Sequence, residues 1–113
     1  MNPVEISVEE AQDWLKEGHS ILVDVREKEE VDALGYAVEN QLQIPLSEFE
    51  MRCSEIPKDS KVIMACRSGA RSMRATYYLL QNGWDKELVA NLGGGMIAWS
   101  QSQYPVNGYQ SGK

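Results

Sequence analysis

The chain has 113 residues, 42% of them hydrophobic and 25% charged, the size and balance of one globular domain that can bury a core without disulfides or a structural metal. A net charge of −6 and a pI near 4.7 speak against a nucleic-acid surface, which needs a basic face, and against anionic membranes. No apolar run is long enough to cross a bilayer. The opening MNPVEISVEEAQ has neither the basic nor the apolar region of a signal peptide, so the expectation is a cytoplasmic protein with Cys53 and Cys66 as free thiols.

In chain order, PVEIS predicts a short first strand. Ser7 and Glu10 form a capping-box pattern ahead of a helix whose buried stripe is Ala11, Trp14 and Leu15, ending at Gly18. SILVDV (20–25) reads as a buried strand and 27–33 as a short helix. GYAVENQLQIPL carries no clear period, although Ile44-Pro45 must be extended or turning. Ser47 and Glu50 suggest a second capping box opening a brief helix with Phe49. KVIMA (61–65) is a central strand, and 72–81 a helix with Met73, Thr76, Tyr77 and Leu80 on one face, stopped by Gly83. ELVAN (87–91) reads as a strand, and GGGMIAWSQ as a Gly-rich turn into a last helix anchored by Trp99. Residues 1–106 form the expected domain, and 107–113 a flexible tail. Alternating strands and helices imply an α/β domain with a mostly parallel sheet of four or five strands and helices on both faces.

In open parallel sheets, ligands bind beyond the carboxyl ends of the strands, and Cys66 lies at such an end. Between that strand and the next helix runs CRSGAR, where Gly69 permits a backbone that curls back. Such a curl turns successive N–H groups inward as an anion-binding nest at a helix N-terminus. The helix dipole and the nearby guanidiniums favour thiolate over thiol, lowering a free value of about 8.5 by one or more units. Arg67, Arg71 and Arg74 cluster here against the acidic overall balance. The loop therefore suits a nucleophilic thiolate acting on an anionic substrate. The alternative is a buried, inert cysteine beside surface arginines.

Four motifs taken in order resemble the rhodanese family of sulfurtransferases: LVDVRE (22–27), IPL (44–46), CRSGARS (66–72) and NLGGGMIAW (91–99). The resemblance implies a rhodanese-like α/β fold. It also implies that Cys66 takes sulfane sulfur from thiosulfate or a similar small anionic donor as a persulfide and passes it to a thiophile. Cyanide would serve in an assay, and a thiol or a protein in the cell. The backbone of Arg67, Ser68, Gly69, Ala70 and Arg71 would hold the terminal sulfur, Arg67 and Arg71 would attract the donor, and Ser72 would begin the helix. Asp24 and Arg26, at the end of a neighbouring strand, would buttress the loop. No cofactor and no metal are expected, because one histidine and two distant cysteines offer no ligand spacing. The chain departs from the family at 35–45, where Tyr36 replaces a histidine and Glu39-Asn40 replace a Gly-Ala pair. That departure is expected to leave the cysteine loop untouched.

Two other functions fit the same residues. Cysteine phosphatases and arsenate reductases use a similar cradle with the arginine sixth after the cysteine. Here Arg71 is fifth and Ser72 sixth, a loop that closes one residue early. A non-enzymatic sulfur carrier loaded by another protein is the second alternative. Cys53 reads as incidental rather than as a resolving thiol, His19 as a turn residue, and REKEE (26–30) as a solvated helix face. The GGG at 93–95 lacks the spacing of a nucleotide-binding fingerprint and fits tight helix packing.

Overall fold

A computed structural model describes residues 3–108. Seven strands are seen: β1 (Val4–Ile6), β2 (Ser20–Asp24), β3 (Leu34–Tyr36), β4 (Gln41–Gln43), β5 (Lys61–Ala65), β6 (Val89–Leu92) and β7 (Val106–Gly108). The helices are α1 (Val8–Glu17), α2 (Lys28–Ala33), α3 (Phe49–Arg52), α4 (Ala70–Gln81) and α5 (Gly95–Gln101). Five strands form one sheet in the order β1-β6-β5-β2-β4, every pair parallel. β3 and β7 make a separate antiparallel ribbon.

Both faces of the sheet are apolar, as a parallel sheet covered by helices requires. Alternate residues feed two cores. Val23, Val62, Met64 and Val89 point to one core, shared with Phe49, Ala75 and Leu79. Leu22, Ile63, Ala90 and Leu92 point to the other, with Val8, Ala11, Met96 and Trp99. Helices thus cover both faces. The Ser7–Glu10 capping box forms reciprocally, with the Glu10 amide donating to Ser7 Oγ at 3.1 Å and the Ser7 amide to Glu10 Oε1 at 3.3 Å.

Several expectations shift. α4 starts at Ala70, two residues ahead of Ser72, because Gly69 at φ +104° serves as its N-cap. Its buried face is Ser72, Ala75, Thr76, Leu79 and Leu80, while Tyr77 stays exposed. The Ser47–Glu50 box does not form: Ser47 Oγ donates to Glu27 Oε2 at 3.3 Å, and a 3-10 turn over Leu46–Glu48 precedes α3. The irregular 35–45 segment is stitched by side-chain amides. Asn40 Nδ2 donates to the Ser20 carbonyl, Gln41 Nε2 to those of Tyr36 and Val38, and Gln43 Nε2 to that of Arg26. Asn107 and Gly108 do not belong to a loose tail, since their pairing with Gly35 and Leu34 makes them part of β7. The remainder of that tail, 109–113, lies outside the described residues.

Candidate active site

β5 runs beside β2 in the middle of the sheet, with Ala65 opposite Asp24, and Cys66 follows at once. The next residues curl around its sulfur. The Gly69 amide donates to Sγ at 3.1 Å and Ser72 Oγ lies 3.3 Å from it. Cys66 is buried, and burial opposes ionisation. The Ser72 hydroxyl and the backbone N–H groups of Ser72, Gly69 and Ser68 outweigh it, so the thiol lies below its ordinary value. Ser72 does not begin the helix; it sits in the first turn with its hydroxyl on the sulfur.

The loop is gripped from outside by its carbonyls. Cys66 O accepts from the Met96 amide at 2.9 Å and Arg67 O from the Ile97 amide at 3.0 Å. The first turn of α5 can come this close only because residue 95 is glycine: a Cβ there would lie 2.6 Å from Cys66 O and 2.7 Å from Arg67 O, at φ +52°. The glycine run thus serves packing, but against the cysteine loop rather than the sheet alone. Gly69 O accepts from Asn91 Nδ2 at 3.0 Å, and the same amide group reaches Glu5. In a trans peptide the N–H points opposite to the C=O, so carbonyls drawn outward turn amides inward.

The charged residues divide. Asp24 and Arg26 form a buried pair, Arg26 Nη2 to Asp24 Oδ2 at 2.7 Å, and Arg26 Nη1 also donates to Leu34 O at 2.8 Å. Arg71 does not point its guanidinium at the sulfur. It makes a two-pronged contact with Glu30, at 2.7 and 2.8 Å, which holds the Glu30 carboxyl down at about 2. Glu30, read in the sequence as part of a solvated face, is half-buried and ties α2 to the loop. Arg67 makes no ion pair among the described residues and borders a recess of about 410 Å³ whose lining includes Arg26, Glu30, Leu34, Met96 and Ile97. Ala70 is exposed at the start of α4. Cys53 is half-buried at the end of α3, packed at the edge of one core with its sulfur on the Glu50 carbonyl.

Sequence reasoning missed Glu30, Asn91 and Tyr36. Tyr36 Oη donates to Cys66 O at 2.6 Å, so the 35–45 departure does reach the cysteine. Among the described residues no group of three His, Cys, Asp or Glu could hold a metal, and no helix is long and apolar enough to cross a membrane.

The sequence matches the family model of the rhodanese-like domain over residues 7–102. A sulfurtransferase of Allochromatium vinosum is 45% identical over 86 residues, spanning 76% of this chain and 77% of the relative. Thiosulfate sulfurtransferase 18 of Arabidopsis thaliana is 32% identical across 92% of this chain and 83% of its own. Among solved structures, a rhodanese-related protein from Thermoplasma volcanium superposes with a TM-score of 0.80 at 27% identity, covering 92% of this chain and 97% of that one. A parallel sheet ending in a cysteine cradled by amides, and relatives named as sulfurtransferases, lead to one assignment: this chain belongs to the rhodanese-like domain family.

Proposed function

We propose that the protein is a sulfurtransferase in which Cys66 carries the sulfur. The observation that supports this most directly is the convergence of the Gly69 amide and the Ser72 hydroxyl on one buried sulfur, at 3.1 and 3.3 Å. Cys66 thiolate attacks the outer sulfur of thiosulfate or a related anionic donor. A sulfur–sulfur bond forms, the bond to the sulfonate sulfur breaks, and sulfite leaves with that electron pair. The persulfide's terminal sulfur carries the negative charge, which the inward amides of Arg67 to Arg71 would stabilise. An acceptor thiol, a protein or cyanide then takes the terminal sulfur and returns Cys66 to the thiolate, giving ping-pong kinetics. Arg67, which makes no ion pair among the described residues, draws in the anionic donor. Arg71 contributes its amide and, through Glu30, the rigidity of the loop, and Asp24 with Arg26 supports its base. Free thiols fit a reducing compartment such as the cytoplasm.

Intact mass before and after thiosulfate, then after cyanide, tests the reading. One added sulfur on Cys66, lost as thiocyanate forms and absent in Cys66→Ser, is expected. A wild-type chain that gains no sulfur from thiosulfate but loads from a persulfide-bearing protein would instead be a carrier.

A further inference from the structure

Tyr36 occupies the position at which the resembling family has histidine, and it is buried at 1% exposure. Its ring is fixed on two sides. Trp99 meets it edge-on with centroids 5.4 Å apart, and the Arg26 guanidinium carbon lies 5.3 Å from its centroid. Held this way, the hydroxyl donates to the Cys66 carbonyl at 2.6 Å. Because that carbonyl also accepts from Met96, the Cys66–Arg67 peptide is pinned twice at its oxygen. Its N–H is thereby turned away from α5 and from Tyr36. A donor on a carbonyl also polarises the peptide and strengthens its N–H as a donor in turn.

The charged groups facing the phenol are Asp24, Arg26 and the Cys66 thiolate. Burial first, then Asp24 and Cys66, push its ionisation far above the ordinary tyrosine value. The hydroxyl therefore remains a donor through the whole range in which Cys66 titrates.

We propose that Tyr36 is a positioning residue for Cys66: its hydroxyl fixes the carbonyl of the nucleophile and so the direction of the sulfur relative to the amides of Ser68 and Gly69. This rests on Cys66 being the nucleophile. Tyr36 touches neither donor nor acceptor and acts through the Cys66 main chain.

Tyr36→Phe removes the hydroxyl, keeps the ring contacts with Trp99 and Arg26, and leaves the carbonyl its bond from Met96. The readout is the rate of Cys66 alkylation by iodoacetamide against pH, resolved from Cys53 by peptide mapping. The thiolate midpoint is expected to rise by about half a unit or more as the sulfur loses its fixed donors. In the thiosulfate assay kcat is expected to fall about three- to tenfold with KM within twofold, as loss of alignment predicts. A folded Tyr36→Phe with the wild-type alkylation profile and wild-type kcat overturns the proposal, even if it melts earlier. Installing 3,5-difluorotyrosine at position 36, a stronger donor of nearly the same size, is expected to move the midpoint downward. An unmoved midpoint in that folded variant also overturns the proposal, so it decides even where Tyr36→Phe is too unstable to assay. Alkylation does not require sulfur transfer. A wild-type chain that gains no sulfur from thiosulfate would therefore sink the sulfurtransferase reading while the alkylation profiles still decide on Tyr36.

Discussion

Two opposed effects meet at the Cys66 sulfur. Burial raises the cost of the thiolate, and four donors lower it; the donors prevail. A thiol depressed in this way is ionised above its lowered midpoint, so the acid limb of the pH–rate profile should rise at a pH below that of an ordinary thiol. Ser72→Ala deletes the one side-chain donor on the sulfur. Losing a hydrogen bond to a charged group costs about 1.5 kcal/mol, which moves the midpoint up by about one unit. Alkylation of Cys66 against pH would show it, and an unmoved limb would remove Ser72 from the thiolate's environment. Glu30 has the opposite sign of interest. Its folded value, about 2 against 4.5, means the pair with Arg71 supports the fold fully above the unfolded value and fades as pH falls through about 2. Since both side chains are about one-third exposed, at 34% and 33%, the pair contributes at most about 1 kcal/mol. Glu30→Ala should therefore lower the melting temperature by no more than about 5 °C yet reduce kcat/KM with thiosulfate about three- to tenfold by loosening the loop; an unchanged kcat/KM would argue against a role in holding it.

Elements explain why some of this was legible and some was not. β2 and β5 announce themselves because a strand buried on both faces is a continuous apolar run, and the Ser7–Glu10 box marks α1 because the capping bonds are local. β3, β4 and β7 have three residues each, too few to show alternation, and β3 pairs with a segment some seventy positions away, which no window along the chain can display. The start of α4 was misplaced because Gly69 reads as a loop residue until its carbonyl is seen capping the helix. Cys66 was recognisable from its place after an apolar run. Asn91 and Tyr36 were not, because their contacts with the loop arise from strand packing and leave no mark on local spacing. α5 supplies a test at this scale. Gly95→Ala would set a methyl against the Cys66 and Arg67 carbonyls at a left-handed φ, costing about 2 kcal/mol or more. Denaturant melts should show that loss together with a collapse of sulfur transfer, and a neutral Gly95→Ala would mean that α5 does not clamp the loop.

Across the whole molecule the charge is −6, so a dianionic donor such as the proposed thiosulfate would approach a repelling surface. The loop offsets this locally with Arg67, which has no acidic partner among the described residues. Exposed charges of this kind act at about 8 Å in physiological salt. Arg67→Glu is therefore expected to raise KM for thiosulfate several-fold with kcat little changed, and added salt should narrow the gap between the two proteins. Salt-independent values would remove steering from the account. The groups around Cys66 come from β1, β3, α2, α4, β6 and α5, that is, from most of the chain. Cys53, by contrast, follows a short helix and sits half-buried at the edge of one core, its sulfur on the Glu50 carbonyl. Once the chain is unfolded the two thiols are chemically alike. The protein consequently carries its own folding gauge: the ratio of label on Cys66 to label on Cys53, followed through a denaturant series, dates the assembly of the sulfur's surroundings with the second thiol as internal standard.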